Sequence, residues 1–169
     1  MNLRFSTALL TALLATGCAP TQPQPVEAAQ PWPEPDRSCA SDSVLLDAYF
    51  DTGNLGRCTV NADGSFTLTL LPEDPPPINP SAWFAFRASG ALGETVAVRL
   101  EAESGYARYW PKTSIDGRNW TPLPRDQVNP NDKRSRWMTF QFELDGAYRW
   151  VAGQEIIDTW DYQHWIGDL

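Results

Sequence analysis

Two stretches of strict two-residue alternation limit this chain to a sheet-built fold. In Thr95–Glu103, the residues Val96, Val98, Leu100 and Ala102 alternate with Thr95, Ala97, Arg99, Glu101 and Glu103. In Arg136–Leu144, Met138, Phe140, Phe142 and Leu144 alternate with Thr139, Gln141 and Glu143. A period of two sets one side of each segment on a core and the other in water, whereas an amphipathic helix needs spacings of three and four. The Val96–Ala102 segment reads as a half-buried antiparallel strand. Shorter copies of the pattern occur in Phe66–Leu71 and in WFAFRASG (Trp83–Gly90), where Phe84 and Phe86 share a face.

Between these segments stand turn formers: Asp51-Thr52-Gly53-Asn54, Asn61-Ala62-Asp63-Gly64, Ser104-Gly105, Asp116-Gly117 and Asp145-Gly146. The expected order begins with Val44–Phe50, Arg57–Val60, Phe66–Leu71 and Ala82–Ala88. It continues with Val96–Ala102 and a strand or extended piece at Tyr106–Trp110. A tight Asp116-Gly117 hairpin joins Thr113-Ser114 to Arg118–Leu123, and a closing hairpin joins Arg136–Leu144 to Tyr148–Ala152. About eight short strands at such spacings predict an all-β, antiparallel two-sheet sandwich over residues 39–153. Residues 154–169 differ, because Ile156, Ile157, Trp160 and Trp165 fit one side of a short helix, with Asp158 and Asp161 at its positive start.

The first residues read as an address. Arg4, the apolar run Ala8–Ala15 and the small residues that follow make 1–17 a secretion signal, too short to span a bilayer. Ala15-Thr16-Gly17-Cys18 resembles a bacterial lipobox, which implies lipidation of Cys18 and residence on the periplasmic side of the cell envelope. An ordinary cleaved signal with an incidental cysteine is the alternative. Residues 18–38, with Pro20, Pro23, Pro25, Pro31, Pro33 and Pro35 among glutamines, read as an extended tether. With Cys18 lipidated, Cys39 and Cys58 remain, as a disulfide or as two separate buried thiols.

Chemistry is harder to find. His164 is the one histidine, and no HExxH, HxxE, GxSxG or nucleotide loop occurs, so no catalytic residue, metal ligand or cofactor is assigned. Asn129–Asp132 lacks the glycine and spacing of a calcium loop. A net charge of −8 with dispersed basic residues offers nothing to a phosphate backbone, so nucleic acid is not expected as a partner. Asp116 reads as a turn former, with Gly117 supplying a left-handed backbone. Among eight tryptophans, Trp83, Trp110, Trp120, Trp137 and Trp150 offer either core filling or a sugar-stacking platform, with Trp110, Trp137 and Trp150 the candidate interaction surface.

From Phe50 to Ala152 the chain resembles the N-terminal β-sandwich domain of the cytosolic-type zinc carboxypeptidases. The matching pieces are Phe50 with Gly53-Asn54, the Trp83-Phe84-x-Phe86-Arg87 strand, and Tyr109-Trp110-Pro111. They continue with Ser114-x-Asp116-Gly117-x-x-Trp120, Phe140-x-Phe142 and Tyr148-x-x-Val151-Ala152. In place of the family's aromatic–proline ending stands Ala152-Gly153-Gln154. The resemblance implies a domain that packs against a peptidase domain, which would hold every zinc ligand and the catalytic glutamate. The expected role is a membrane-tethered, non-catalytic interaction domain whose partner is a protein such as a peptidase domain. The alternatives are the front part of a longer carboxypeptidase and a carbohydrate-binding module.

Overall fold

The computed structural model describes residues 33–74, 78–79, 81–129 and 134–169. Residues 1–17, where a secretion signal is expected, Cys18 and the proline-rich stretch as far as Trp32 lie outside the described residues. Eleven strands and one α-helix occur among those described. The strands are β1 (Ser38–Ala40), β2 (Val44–Asp47), β3 (Arg57–Val60), β4 (Phe66–Leu70), β5 (Ala85–Gly90) and β6 (Thr95–Ala102). They continue with β7 (Lys112–Ser114), β8 (Thr121–Pro122), β9 (Val128–Asn129), β10 (Trp137–Glu143) and β11 (Arg149–Ala152), before helix α1 (Thr159–Gly167).

The strands form two facing sheets, one ordered β1-β2-β5-β11-β7-β8 and the other β3-β4-β6-β10-β9. The all-β sandwich expected from alternation is therefore the observed fold. Buried Phe66, Leu68 and Leu70 of β4, Val96, Val98 and Leu100 of β6, and Met138, Phe140 and Phe142 of β10 line the inner face of the second sheet. Leu46, Phe86 and Val151 answer them from the first. The Phe84 ring lies 6.3 Å from Phe140 and 6.4 Å from Phe86, an aromatic contact that spans the two layers. Full burial of one such ring contributes about 1.5–3 kcal/mol.

Several expectations are corrected. There are more strands than eight because short edge pieces pair: β1 along β2 and β9 along β10. Strand β6 is antiparallel to β10 but parallel to β4, since the chain leaves that sheet to form β5 before it returns. The closing hairpin does not form. Strands β10 and β11 belong to different sheets, and the Asp145-Gly146 turn carries the chain from one layer to the other. Residues 106–110 form no strand, and the central strand begins at Ala85 rather than Ala82. The sandwich also takes in the end of the expected tether: Asp36 N–H donates to the Gly56 carbonyl at 2.7 Å, and Ser38 opens β1.

Cys39 of β1 and Cys58 of β3 are joined by a disulfide with Cα atoms 6.1 Å apart. Because those strands edge different sheets, the bond staples the two layers at one side.

Candidate functional site

The outer face of the six-stranded sheet carries a row of side chains set directly by register. Asp47 pairs with Arg87, Arg87 with Trp150, and Trp150 with Ser114 across β2, β5, β11 and β7. Arg87 Nη2 reaches Asp47 Oδ1 at 2.6 Å and its Nε reaches the same oxygen at 3.1 Å. The guanidinium carbon lies 5.0 Å from the Tyr148 ring centre, 5.2 Å from that of Trp150 and 5.6 Å from that of Phe50. A weakly hydrated, planar cation suits such an aromatic enclosure. Phe50 meets Trp150 edge-on at 4.7 Å, which closes the cage. Arg87 is thus committed to holding the sheet's outer face rather than to a ligand.

The motif at Ser114–Trp120 builds the next layer. No tight hairpin forms at Asp116-Gly117; Thr113 pairs with Thr121, and residues 115–120 make a wider loop. Ser114 Oγ accepts the Gly117 N–H at 2.9 Å and donates to Asp116 Oδ1 at 2.8 Å. Asp116 also accepts the backbone N–H groups of Asn119 (2.8 Å) and Arg118 (2.9 Å). These backbone donors, with the Asn119 and Ser114 side chains, hold its carboxyl far below the ordinary carboxylate range. Gly117 has φ +74° and its Cα faces the Trp150 ring so closely that a Cβ would stand 3.2 Å from Cε2. Trp120 Nε1 donates to the Gly117 carbonyl at 3.2 Å.

The sign of the Asp116 shift gives a test. Its folded pKa is depressed, so its contribution is whole above the unfolded value, near 4, and is lost as pH falls through the lowered one. Asp116→Ala is expected to open residues 115–120 at neutral pH, read as faster amide exchange there and altered Trp150 emission. Unchanged exchange would show that the carboxylate does not organise the loop.

Helix α1 attaches to this same side through few groups. The Asp158 carboxylate accepts the Asp161 N–H at 2.9 Å while Asp161 accepts the Asp158 N–H at 3.2 Å, a reciprocal cap. Ile156 and Ile157, expected on the helix, precede it. The Asp51 carboxylate accepts both the backbone N–H and the hydroxyl of Thr159, and these bonds lower its pKa. The Arg118 guanidinium sits 4.2 Å from the Trp160 ring centre. No residue of α1 is buried, and Trp160, Tyr162, Trp165 and Ile166 are each about half exposed or more. Asp51→Ala is expected to speed amide exchange across 159–167 and leave the sandwich strands unchanged; equal exchange would mean that Arg118 alone holds the helix.

The remaining sequence-selected residues do not assemble. Phe84 and Phe86 are core. Trp110 Nε1 donates to the Leu123 carbonyl at 2.9 Å. Trp137 lies under the Arg99 guanidinium, 4.7 Å from it, on the outer face of the other sheet. Trp137 and Trp150 therefore face opposite sides of the sandwich, and the five tryptophans form no common platform. His164 is engaged locally, its Nδ1 2.9 Å from the Trp160 carbonyl oxygen and its ring 3.5 Å from that of Trp160. Among the described residues no group of three or more His, Cys, Asp or Glu is placed to hold a metal ion. Two contributors escaped sequence reasoning, Asp47 and Asp51. The signal for Asp47 was a carboxylate ending the otherwise apolar VLLD strand.

Known proteins agree with this architecture. The family model for the cytosolic carboxypeptidase N-terminal domain matches residues 46–152, and the chain belongs to that family. No curated protein matches it. A metallo-carboxypeptidase from Burkholderia cenocepacia superposes with a TM-score of 0.58 at 18% identity, over 75% of this chain and 33% of that one. A metallo-carboxypeptidase from Pseudomonas aeruginosa gives 0.51 at 20% identity, over 73% and 32%. The chain thus spans about a third of the length of these structures, which share its fold.

Proposed function

We infer that this chain is a non-catalytic docking domain whose α1 side receives a peptidase domain. The observation that carries this reading is the helix: it offers Trp160, Tyr162, Trp165 and Ile166 to solvent and buries no residue of its own. An apolar aromatic surface of this kind marks an interaction site. Family membership, and the two-thirds of each neighbouring carboxypeptidase that this domain does not match, are what support a peptidase domain as the partner. Arg118 of the 115–120 loop, against Trp160, and Asp51, bonded to Thr159, tie that surface to the sandwich. The same surface serves whether the peptidase domain is a separate chain or lies on the same polypeptide. The signal-like residues 1–17 and Cys18 support export and lipid anchoring on the periplasmic side of a bacterial envelope.

The full chain is expected to bind the catalytic domain of a metallo-carboxypeptidase of the same genome, to carry no zinc and to hydrolyse no peptide by itself. Trp165→Ser with Ile166→Ser is expected to abolish the association and leave the melting temperature unchanged. Stoichiometric zinc with peptide hydrolysis, or association indifferent to the double substitution, would overturn the reading. Intact mass of membrane-extracted protein tests the anchor, since an unmodified Cys18 excludes it.

A further inference from the structure

A hollow of about 320 Å³ opens at the end of the sandwich where the chain leaves β11, and its lining includes Trp83, Tyr109, Glu73, Gln154, Glu155 and Ile156. That volume lies at the small end of the range for small-molecule pockets. Its aromatic wall is pre-organised. Gly153 beds the Tyr109 ring so tightly that a Cβ there would stand 2.8 Å from the tyrosine Cβ. At the other end of the ring, the phenol oxygen lies 3.1 Å from Ser81 Oγ and accepts from Arg108 Nη2 at 3.0 Å. These bonds, with one from Gln154, depress the phenol pKa against the opposing effect of burial. Trp83 is fixed through its backbone, whose carbonyl accepts the Asn54 Nδ2 donor at 3.1 Å.

The charges around the hollow are compensated. Lys112 Nζ meets Glu155 Oε1 at 3.0 Å, and Asn79 Nδ2 donates to Glu73 Oε2 at 2.7 Å. Arg108, which also donates to Ser81 Oγ at 2.7 Å, brings a second positive charge to the rim. An ion of either sign therefore meets an opposing and a like charge together. What the hollow does offer is two aromatic rings beside an aliphatic side chain, and three planar side-chain ends able to bond adjacent hydroxyls in pairs.

We propose that this hollow binds a neutral saccharide, with a sugar ring packed against Trp83 and Tyr109 and its hydroxyls bonded by Glu73, Gln154 and Glu155. The hollow adjoins the start of α1, since its lining includes Thr52, next to Asp51, and Ile157, next to the Asp158 cap, so saccharide binding is measured on the chain without a peptidase partner.

The test is titration of the full chain with tetrameric N-acetylglucosamine, cellotetraose and maltotetraose, followed by tryptophan emission and indole N–H resonances. One of them is expected to give a saturable change at millimolar concentration or below. Trp83→Ala is expected to weaken it about tenfold or more, and Gln154→Ala, at an exposed position, about fivefold. Trp137→Ala, on the opposite sheet, is expected to leave it unchanged. Absence of a saturable response to all three probes overturns the proposal. So does binding unaffected by Gln154→Ala, or displacement of the signal by free arginine or citrate.

Discussion

Arg87→Met is expected to destabilise the domain by about 3 kcal/mol, measured by urea unfolding. The cost comes from Asp47, whose side chain is 7% exposed and which would keep the Tyr49 N–H, at 3.2 Å, but lose its cation. Removing one member of a largely buried pair leaves a desolvated charge, which costs more than the pair is worth in total. Methionine keeps a long apolar stem between Phe50, Tyr148 and Trp150, so lost packing is a minor part of the effect. The pairwise component is isolated by a cycle: Asp47→Asn with Arg87→Met is expected to cost less than the sum of the single substitutions, by roughly 1–3 kcal/mol. Strict additivity would show that the aromatic cage, not the carboxylate, holds the arginine.

Removal of the Cys39–Cys58 bond carries an effect of similar size. The sequence separation of 19 residues gives a chain-entropy cost near 3 kcal/mol, because the unfolded chain regains the loop. Cys39→Ala with Cys58→Ala is expected to lower the melting temperature by about 10 °C. The loss has a local readout as well. Strand β1 has three residues and sits at a sheet edge, so its amides are expected to exchange first. A variant that melts with the parent would mean that β1 and β3 are held by their ladders alone. An exported protein retains the bond, whereas a reducing compartment would withhold it.

Much of the sandwich could be read directly because its long strands obey a local rule. In β4, β6 and β10 every second side chain is buried, and the inward residues named from alternation are those found in the core. The turn residues were legible for the same reason: Gly64 and Gly117 both adopt positive φ. Pairing was less legible. Asp145-Gly146 looks identical in sequence whether it reverses a hairpin or bridges two layers, since both need a tight turn between apolar strands. The site was legible in pieces only. Trp83, Arg87, Ser114, Asp116, Gly117 and Trp120 stood out, but not the row that register makes of Asp47, Arg87, Trp150 and Ser114.

By itself the sequence determined the all-β class, the inward faces of the long strands, the acidic start of the terminal helix at Asp158 and Asp161, and the cysteines available to pair. Each follows from backbone geometry acting over a few residues. Tertiary structure alone decided that β10 and β11 part company, that β4 and β6 run parallel, and that the tryptophans scatter to opposite faces. It also decided that Asp51, 108 residues from Thr159, anchors the terminal helix. Those outcomes depend on which distant segments share a sheet, and periodicity within one segment carries no information about its neighbours.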